Sequence, residues 1–190
     1  MEWMVCSVRE FDAKERAMAW AMMAETRKAA LARIGKKERV EASILGEWMA
    51  RELLSKYSGM PKDQIHLART PKGKPYAENL PLHFNISHSG QWVSCAVSNR
   101  PIGIDIEAVR PLDLKLATRI CSPQDLNYFI KERTFLGRQR RLYEIFTAKE
   151  AYFKAKGTGI INLQGVSLAD LQPRLLQLLR PDYILSIYQE

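Results

Sequence analysis

Gln91-Trp92-Val93-Ser94-Cys95-Ala96-Val97-Ser98-Asn99-Arg100-Pro101-Ile102-Gly103-Ile104-Asp105-Ile106-Glu107 is two extended runs parted by an Asn-Arg-Pro turn. Working toward the N-terminus, Gln64 to Arg69 and Leu82 to Ser87 are two more short extended runs, set apart by Pro71-Lys72-Gly73-Lys74-Pro75 and Ser89-Gly90. The middle of the chain is therefore expected to form a small sheet. Further back the period turns helical. Val40, Ile44, Leu45, Trp48, Met49 and Leu53 keep helical spacing until Gly59-Met60-Pro61 stops it, and Asp12 can cap two helical pieces ending at Gly35. Residues 3–8 read as a strand.

Toward the C-terminus helical signals return: Leu114 to Ile120, a segment opening at Ser122-Pro123, and a longer helix from about Arg138 to Lys156 ended by Gly157. Tyr183 to Tyr188 reads as a last strand. Each half offers helices plus strands, so the reading is an α+β protein of two small halves, residues 1–100 and 101–190, with the cleft between them as the default ligand site.

Composition narrows the function classes. The 190 residues are 46% hydrophobic and 26% charged, as in a globular chain and unlike disordered, collagenous or coiled-coil sequences. The net charge of +8 divides as 16 basic against 11 acidic residues in 1–100 and 13 against 10 in 101–190, so it is not a tail and suggests an anionic ligand or partner. Cys6, Cys95 and Cys121 are odd in number and widely spaced, which fits reduced thiols in a cytosolic protein better than disulfides or a zinc site. The start shows no basic leader before an apolar stretch, and the longest apolar run, Ala17 to Ala24, is eight residues, so neither secretion nor membrane spanning is expected.

Three constellations carry candidate chemistry. In Gly103-Ile104-Asp105-Ile106-Glu107, strand alternation sends both isoleucines to one face and both acids to the other. The pair is either an exposed polar face or half of an all-oxygen site suited to magnesium. In the helix around Phe146-Thr147-Ala148-Lys149-Glu150-Ala151-Tyr152-Phe153-Lys154, the buried stripe is Leu142, Ile145, Phe146, Tyr152 and Phe153, flanked by Glu150 and Lys154 one turn apart. These two are either an ordinary exposed Glu-Lys pair or a carboxylate and an ammonium facing one phosphate-bearing ligand. Lys149 falls within the apolar stripe, where it must snorkel or reach a buried anion. In Phe84-Asn85-Ile86-Ser87-His88-Ser89-Gly90 a strand ends in polar residues, and His88 is either structural or a phosphate donor. Arg69, Lys72 and Lys74 make the preceding loop a solvated turn or an anion clamp. No Walker loop, dinucleotide fingerprint or zinc-protease motif competes.

Taken in order, Gly-Lys-Pro-Tyr from residue 73, Phe-Asn-Ile-Ser-His-Ser, Gly-Ile-Asp-Ile-Glu, and Lys-Glu-Ala-x-x-Lys followed by Gly-x-Gly-Ile resemble the 4'-phosphopantetheinyl transferases of the Sfp type. The motifs span residues 73–160; residues 1–62 and 165–190 match only in general layout. The resemblance implies a monomer of two pseudo-symmetric α/β lobes with the ligand site in the cleft between them. It also implies magnesium, with coenzyme A as co-substrate and an apo acyl carrier or peptidyl carrier protein as acceptor, in fatty acid, polyketide or peptide synthesis. Adenosine 3',5'-bisphosphate is the implied product, with no nucleic acid or membrane partner.

By the same resemblance Asp105, Glu107 and Glu150 are the metal ligands, and Glu150 and Lys154 the catalytic pair. Lys74, Ser87, His88 and Lys154 contact the cofactor, His88 at its 3'-phosphate. Phe146 stands where the family usually has tryptophan, and Ala42 where it has an arginine, which leaves the 3'-phosphate to Arg39, or to Arg27 and Lys28. The competing readings are a coenzyme A-binding relative without transfer activity and a basic nucleic-acid-binding domain, the latter drawn from net charge and from Arg138, Arg140 and Arg141.

Overall fold

The computed structural model of the chain describes residues 1–71 and 73–190, which fall into two compact units, Met1–Asn99 and Arg100–Glu190. Helix and strand are mixed in both, and the fold is α+β.

The first unit runs β1 (Glu2–Ser7), α1 (Ala13–Ala21), α2 (Glu25–Ala32), α3 (Lys37–Ser58), β2 (Leu67–Arg69), β3 (Pro75–Ala77), β4 (His83–Ser89) and β5 (Trp92–Ser98). Asp12 caps α1 by accepting from the Glu15 N–H at 2.8 Å. The 22-residue α3 ends at Gly59, whose φ of 77° lies in the left-handed region that glycine adopts without a Cβ clash. Its apolar stripe, from Ile44 to Leu54, packs on an antiparallel sheet of order β1-β5-β4, and Leu45, Met49, Val93, Cys95 and Val97 form a dry centre.

The second unit runs β6 (Ile102–Ala108), α4 (Ala117–Ile120), α5 (Pro123–Ile130), α6 (Phe135–Lys156), α7 (Leu168–Leu171), β7 (Leu175–Leu179) and β8 (Tyr183–Gln189). Ser122 caps α5 with proline at the first helical position, and Asp125 returns the bond to the Ser122 N–H, closing a capping box. The sheet order is β6-β8-β7, all antiparallel, with α6 lying on β6 and β8. Ala148, Ala151 and Ala155 line the face of α6 that joins the core, small enough for close approach to the strands.

The middle strands do not form one sheet. β6 pairs not with its neighbour β5 but with β8, Ile102 opposite Gln189 and Asp105 opposite Ser186, while β2 pairs only with β3 in a separate hairpin. β6 belongs to the second unit because Gly103 lets it pack directly beneath α6, beside β8, which lies under the same helix. Among the described residues no helix is long and apolar enough to cross a membrane.

Candidate active site

The acidic constellation is built by the approach of α6 to β6. A Cβ on Gly103 would stand 2.0 Å from the Ala151 carbonyl oxygen and 2.5 Å from the Ala155 nitrogen, so only glycine lets helix backbone meet strand backbone here. Alternation then turns Asp105 and Glu107 toward the same helix. Asp105 is 3% exposed, which rules out the solvated polar face, and its Oδ1 accepts from Lys154 Nζ at 2.5 Å.

Glu150 sits one helical turn before Lys154, and its carboxyl is pushed up to about 7. Burial is the largest cause; the Asp105 and Glu107 charges add to it and the Lys154 ammonium opposes it. Glu150 and Lys154 are thus no solvent-facing dressing: three carboxylates from two elements feel one another around one ammonium.

All the donors are carboxylate oxygens, and their charge exceeds that of Lys154, which is the chemistry a hard divalent cation takes. Among the described residues no group of three or more His, Cys, Asp and Glu side chains is arranged to hold a metal ion as it stands. The fit lies in donor chemistry and excess charge, and Lys154 bonds Asp105 directly.

The other expected site residues belong to the first unit. Lys74 closes the β2–β3 hairpin: its N–H donates to Thr70 Oγ1 at 3.1 Å and its carbonyl accepts from the Thr70 N–H at 2.9 Å. Lys72 lies outside the described residues. Arg69 is engaged by Glu47 Oε1 at 3.0 Å and by the Gly73 carbonyl at 2.9 Å. Ser87, buried, and His88, exposed, are neighbours on β4 and so point to opposite faces of the strand. Of the cations expected near Ala42, Arg27 donates from Nε to Glu47 Oε1 at 2.5 Å and Lys28 to Glu25 at 2.7 Å.

Lys149 reaches a buried anion. Fully buried, its Nζ contacts Asp125 Oδ2 at 2.6 Å and donates to the Ile120 and Leu163 carbonyls at 2.7 Å each. It fastens α6 to the start of α5 and to the turn after α6, holding the next residue, Glu150, in register. Beside it, burial and the Asp125 charge push the Cys121 thiol up to about 11 against the pull of Lys149, so this thiol is unreactive.

Sequence reasoning passed over Glu47 and Arg51. Both lie on the inward side of α3, Arg51 three residues after Trp48 and seven after Ile44, and that periodicity was the available signal.

The 4'-phosphopantetheinyl transferase superfamily model matches residues 101–185, and the model for the N-terminal part of 4'-phosphopantetheinyl transferases matches residues 11–100. The chain is 36% identical to 4'-phosphopantetheinyl transferase gsp of Aneurinibacillus migulanus over 118 residues, 62% of this chain and 49% of that one. It is 35% identical to 4'-phosphopantetheinyl transferase Sfp of Bacillus subtilis (strain 168) over 126 residues, 65% of this chain and 55% of that one. A 4'-phosphopantetheinyl transferase of Bacillus subtilis is 32% identical over 154 residues, 80% of this chain and 68% of that one. The matches span about half the length of the first two relatives.

Proposed function

The chain belongs to the 4'-phosphopantetheinyl transferase family, and from that membership we propose that it transfers 4'-phosphopantetheine from coenzyme A to a serine of an apo acyl carrier or peptidyl carrier protein. The serine Oγ attacks the phosphorus that bears pantetheine, the pyrophosphate P–O bond breaks, and adenosine 3',5'-bisphosphate leaves. The serine proton passes to the Glu150 carboxylate, the acid one helical turn before Lys154. Lys154 Nζ offsets the charge developing on the leaving phosphate oxygen. Asp105, Glu107 and Glu150 would hold magnesium, which when bound neutralises the pyrophosphate and polarises the reacting phosphorus. Lys74, Ser87 and His88 contact the nucleotide end. The protein acts as a monomer in the cytoplasm, and its +8 charge favours an acidic carrier surface.

The observation that carries this reading is the buried Asp105 carboxylate bonded to Lys154 across β6 and α6, with Glu150 one helical turn before Lys154. The test incubates the protein with magnesium, coenzyme A and a panel of apo-carriers and records intact carrier masses. A metal-dependent gain of one phosphopantetheine is expected, with none from Asp105→Asn or Glu150→Gln. Coenzyme A binding with no mass gain on any carrier would overturn the transfer reading.

A further inference from the structure

β6 leaves its ladder at Ala108, the last of its residues paired with β8, and residues 109–112 continue as irregular backbone. Backbone that leaves a ladder must find new partners for its N–H and C=O groups. The Val109 N–H donates to the Asp182 carbonyl at 2.9 Å. Arg110 is held by α6 instead. Gln139 Nε2 donates to its carbonyl at 2.6 Å, and the Tyr143 hydroxyl donates to the same carbonyl at 3.2 Å while accepting from the Arg110 N–H at 3.4 Å. Pro111, with no N–H and a fixed φ, then stiffens the stretch.

Gln139 and Tyr143 are each only 5% exposed, at positions where leucine and phenylalanine would fill similar space without polar atoms to satisfy. Both spend those atoms on one residue's backbone. Gln139, Tyr143, Phe146 and Glu150 follow one another at steps of four, three and four, so they lie along one side of α6, and the clamp and Glu150 share that side. The clamped stretch faces a use of its own: Arg110 and Leu112, with Glu107, Leu116 and Phe146, help to line a pocket of about 540 Å³. Apart from Glu107 and Arg110 its lining is uncharged.

We propose that Tyr143, assisted by Gln139, is a positioning residue for the transfer reaction: it fixes the Arg110 backbone, and through it the pocket wall on which an uncharged stretch of a substrate rests beside Glu107. The proposal rests on the transferase reading. Both substrates of that reading offer such a stretch, the pantetheine arm of coenzyme A and the apolar side chains around a carrier's acceptor serine. A wall that meets no reacting bond holds the ground state and the transition state alike, so loosening it acts on KM and not on kcat.

Steady-state transfer by the full chain, with coenzyme A and an apo-carrier varied in turn, tests the proposal. Tyr143→Phe deletes one oxygen and keeps the ring in the core. It is expected to raise KM for at least one substrate about fivefold or more with kcat within about twofold, and Gln139→Met should raise KM for that same substrate. A rise for coenzyme A assigns the wall to the pantetheine arm, and a rise for the carrier assigns it to the acceptor. Thr147→Val, which removes a hydroxyl bonded to Tyr143 O and Ser186 and not to Arg110, should leave both KM values within about twofold, so that lost stability alone does not imitate the effect. Amide exchange at residues 109–112 should quicken in Tyr143→Phe, read by mass spectrometry. KM values that hold in both Tyr143→Phe and Gln139→Met overturn the proposal, however fast the stretch exchanges, and so does a fall in kcat alone. An unsubstituted protein that modifies no apo-carrier overturns the transferase reading, and the positioning role with it.

Discussion

Replacing Lys149 with methionine keeps length and helix propensity while removing the one buried ammonium of α6. Asp125 Oδ2 then loses a partner at 2.6 Å, and the Ile120 and Leu163 carbonyls lose theirs at 2.7 Å. Asp125 keeps the Leu168 N–H at 2.8 Å and the Ser122 N–H at 2.9 Å, but its charge is left uncompensated inside the unit. Breaking a buried pair from one side costs roughly 3–5 kcal/mol, a large part of the roughly 5–15 kcal/mol that holds a domain folded. At a urea slope of about 1–2 kcal/mol per molar, the midpoint should fall by at least about 1.5 M.

The assay can assign the loss to one unit, because the four tryptophans, Trp3, Trp20, Trp48 and Trp92, all lie before residue 100. Far-ultraviolet circular dichroism should show the early transition while tryptophan emission reports the first unit at its own midpoint. Burial pushes the Asp125 carboxyl up, but Lys149, the Leu168 N–H and Ser122 together hold it below its ordinary value. The stabilisation is therefore present above the ordinary carboxylate range and lost as pH falls through and below it. A Lys149→Met protein whose dichroism midpoint moves by less than about 0.3 M urea would refute the reasoning, since the ammonium would then contribute almost nothing net.

Gly103→Ala should cost about 1–3 kcal/mol and abolish carrier modification, because the added carbon meets the Ala151 and Ala155 backbone; chemical denaturation and intact mass measure both effects. In chelator-treated protein, Glu150 makes the second unit lose stability as pH rises from the ordinary glutamate range through about 7, because the folded state favours the proton; Glu150→Gln should flatten melting temperature against pH over that window. Thr147→Val should cost about 1–2 kcal/mol in urea titration, since it takes a 2.7 Å partner from the buried Ser186 hydroxyl, which then keeps only Gln177 Nε2 at 2.9 Å.

Local signals in the chain were strong where one element decides its own shape. Asp12, Gly59, Ser122-Pro123 and Gly157 mark helix ends, and α3 and α6 fall within a few residues of where periodicity places them. What the chain conceals is pairing. β6 and β8 are matched across some eighty residues, and nothing local distinguishes that match from pairing with β5. β3 is three residues opening on a proline, and β7 reads Leu-Leu-Gln-Leu-Leu, which has no alternation to betray a strand. The acidic site shows the same split. Asp105, Glu107, Glu150 and Lys154 stand out as residue types, but the Asp105–Lys154 bond depends on a tertiary approach that Gly103 permits. Lys149 was poised between snorkelling and burial, and Asp125, on another helix, decided it.

β7 ends the order β6-β8-β7, so among the described residues one side of Leu-Leu-Gln-Leu-Leu has no partner strand. Such a strand is a template for association between chains, above all while the protein is folding. Here it is fenced: Pro173 and Arg174 precede it, and Arg180 and Pro181 follow. Proline cannot extend a ladder and arginines repel their copies in an incoming chain, so the bracket limits self-assembly.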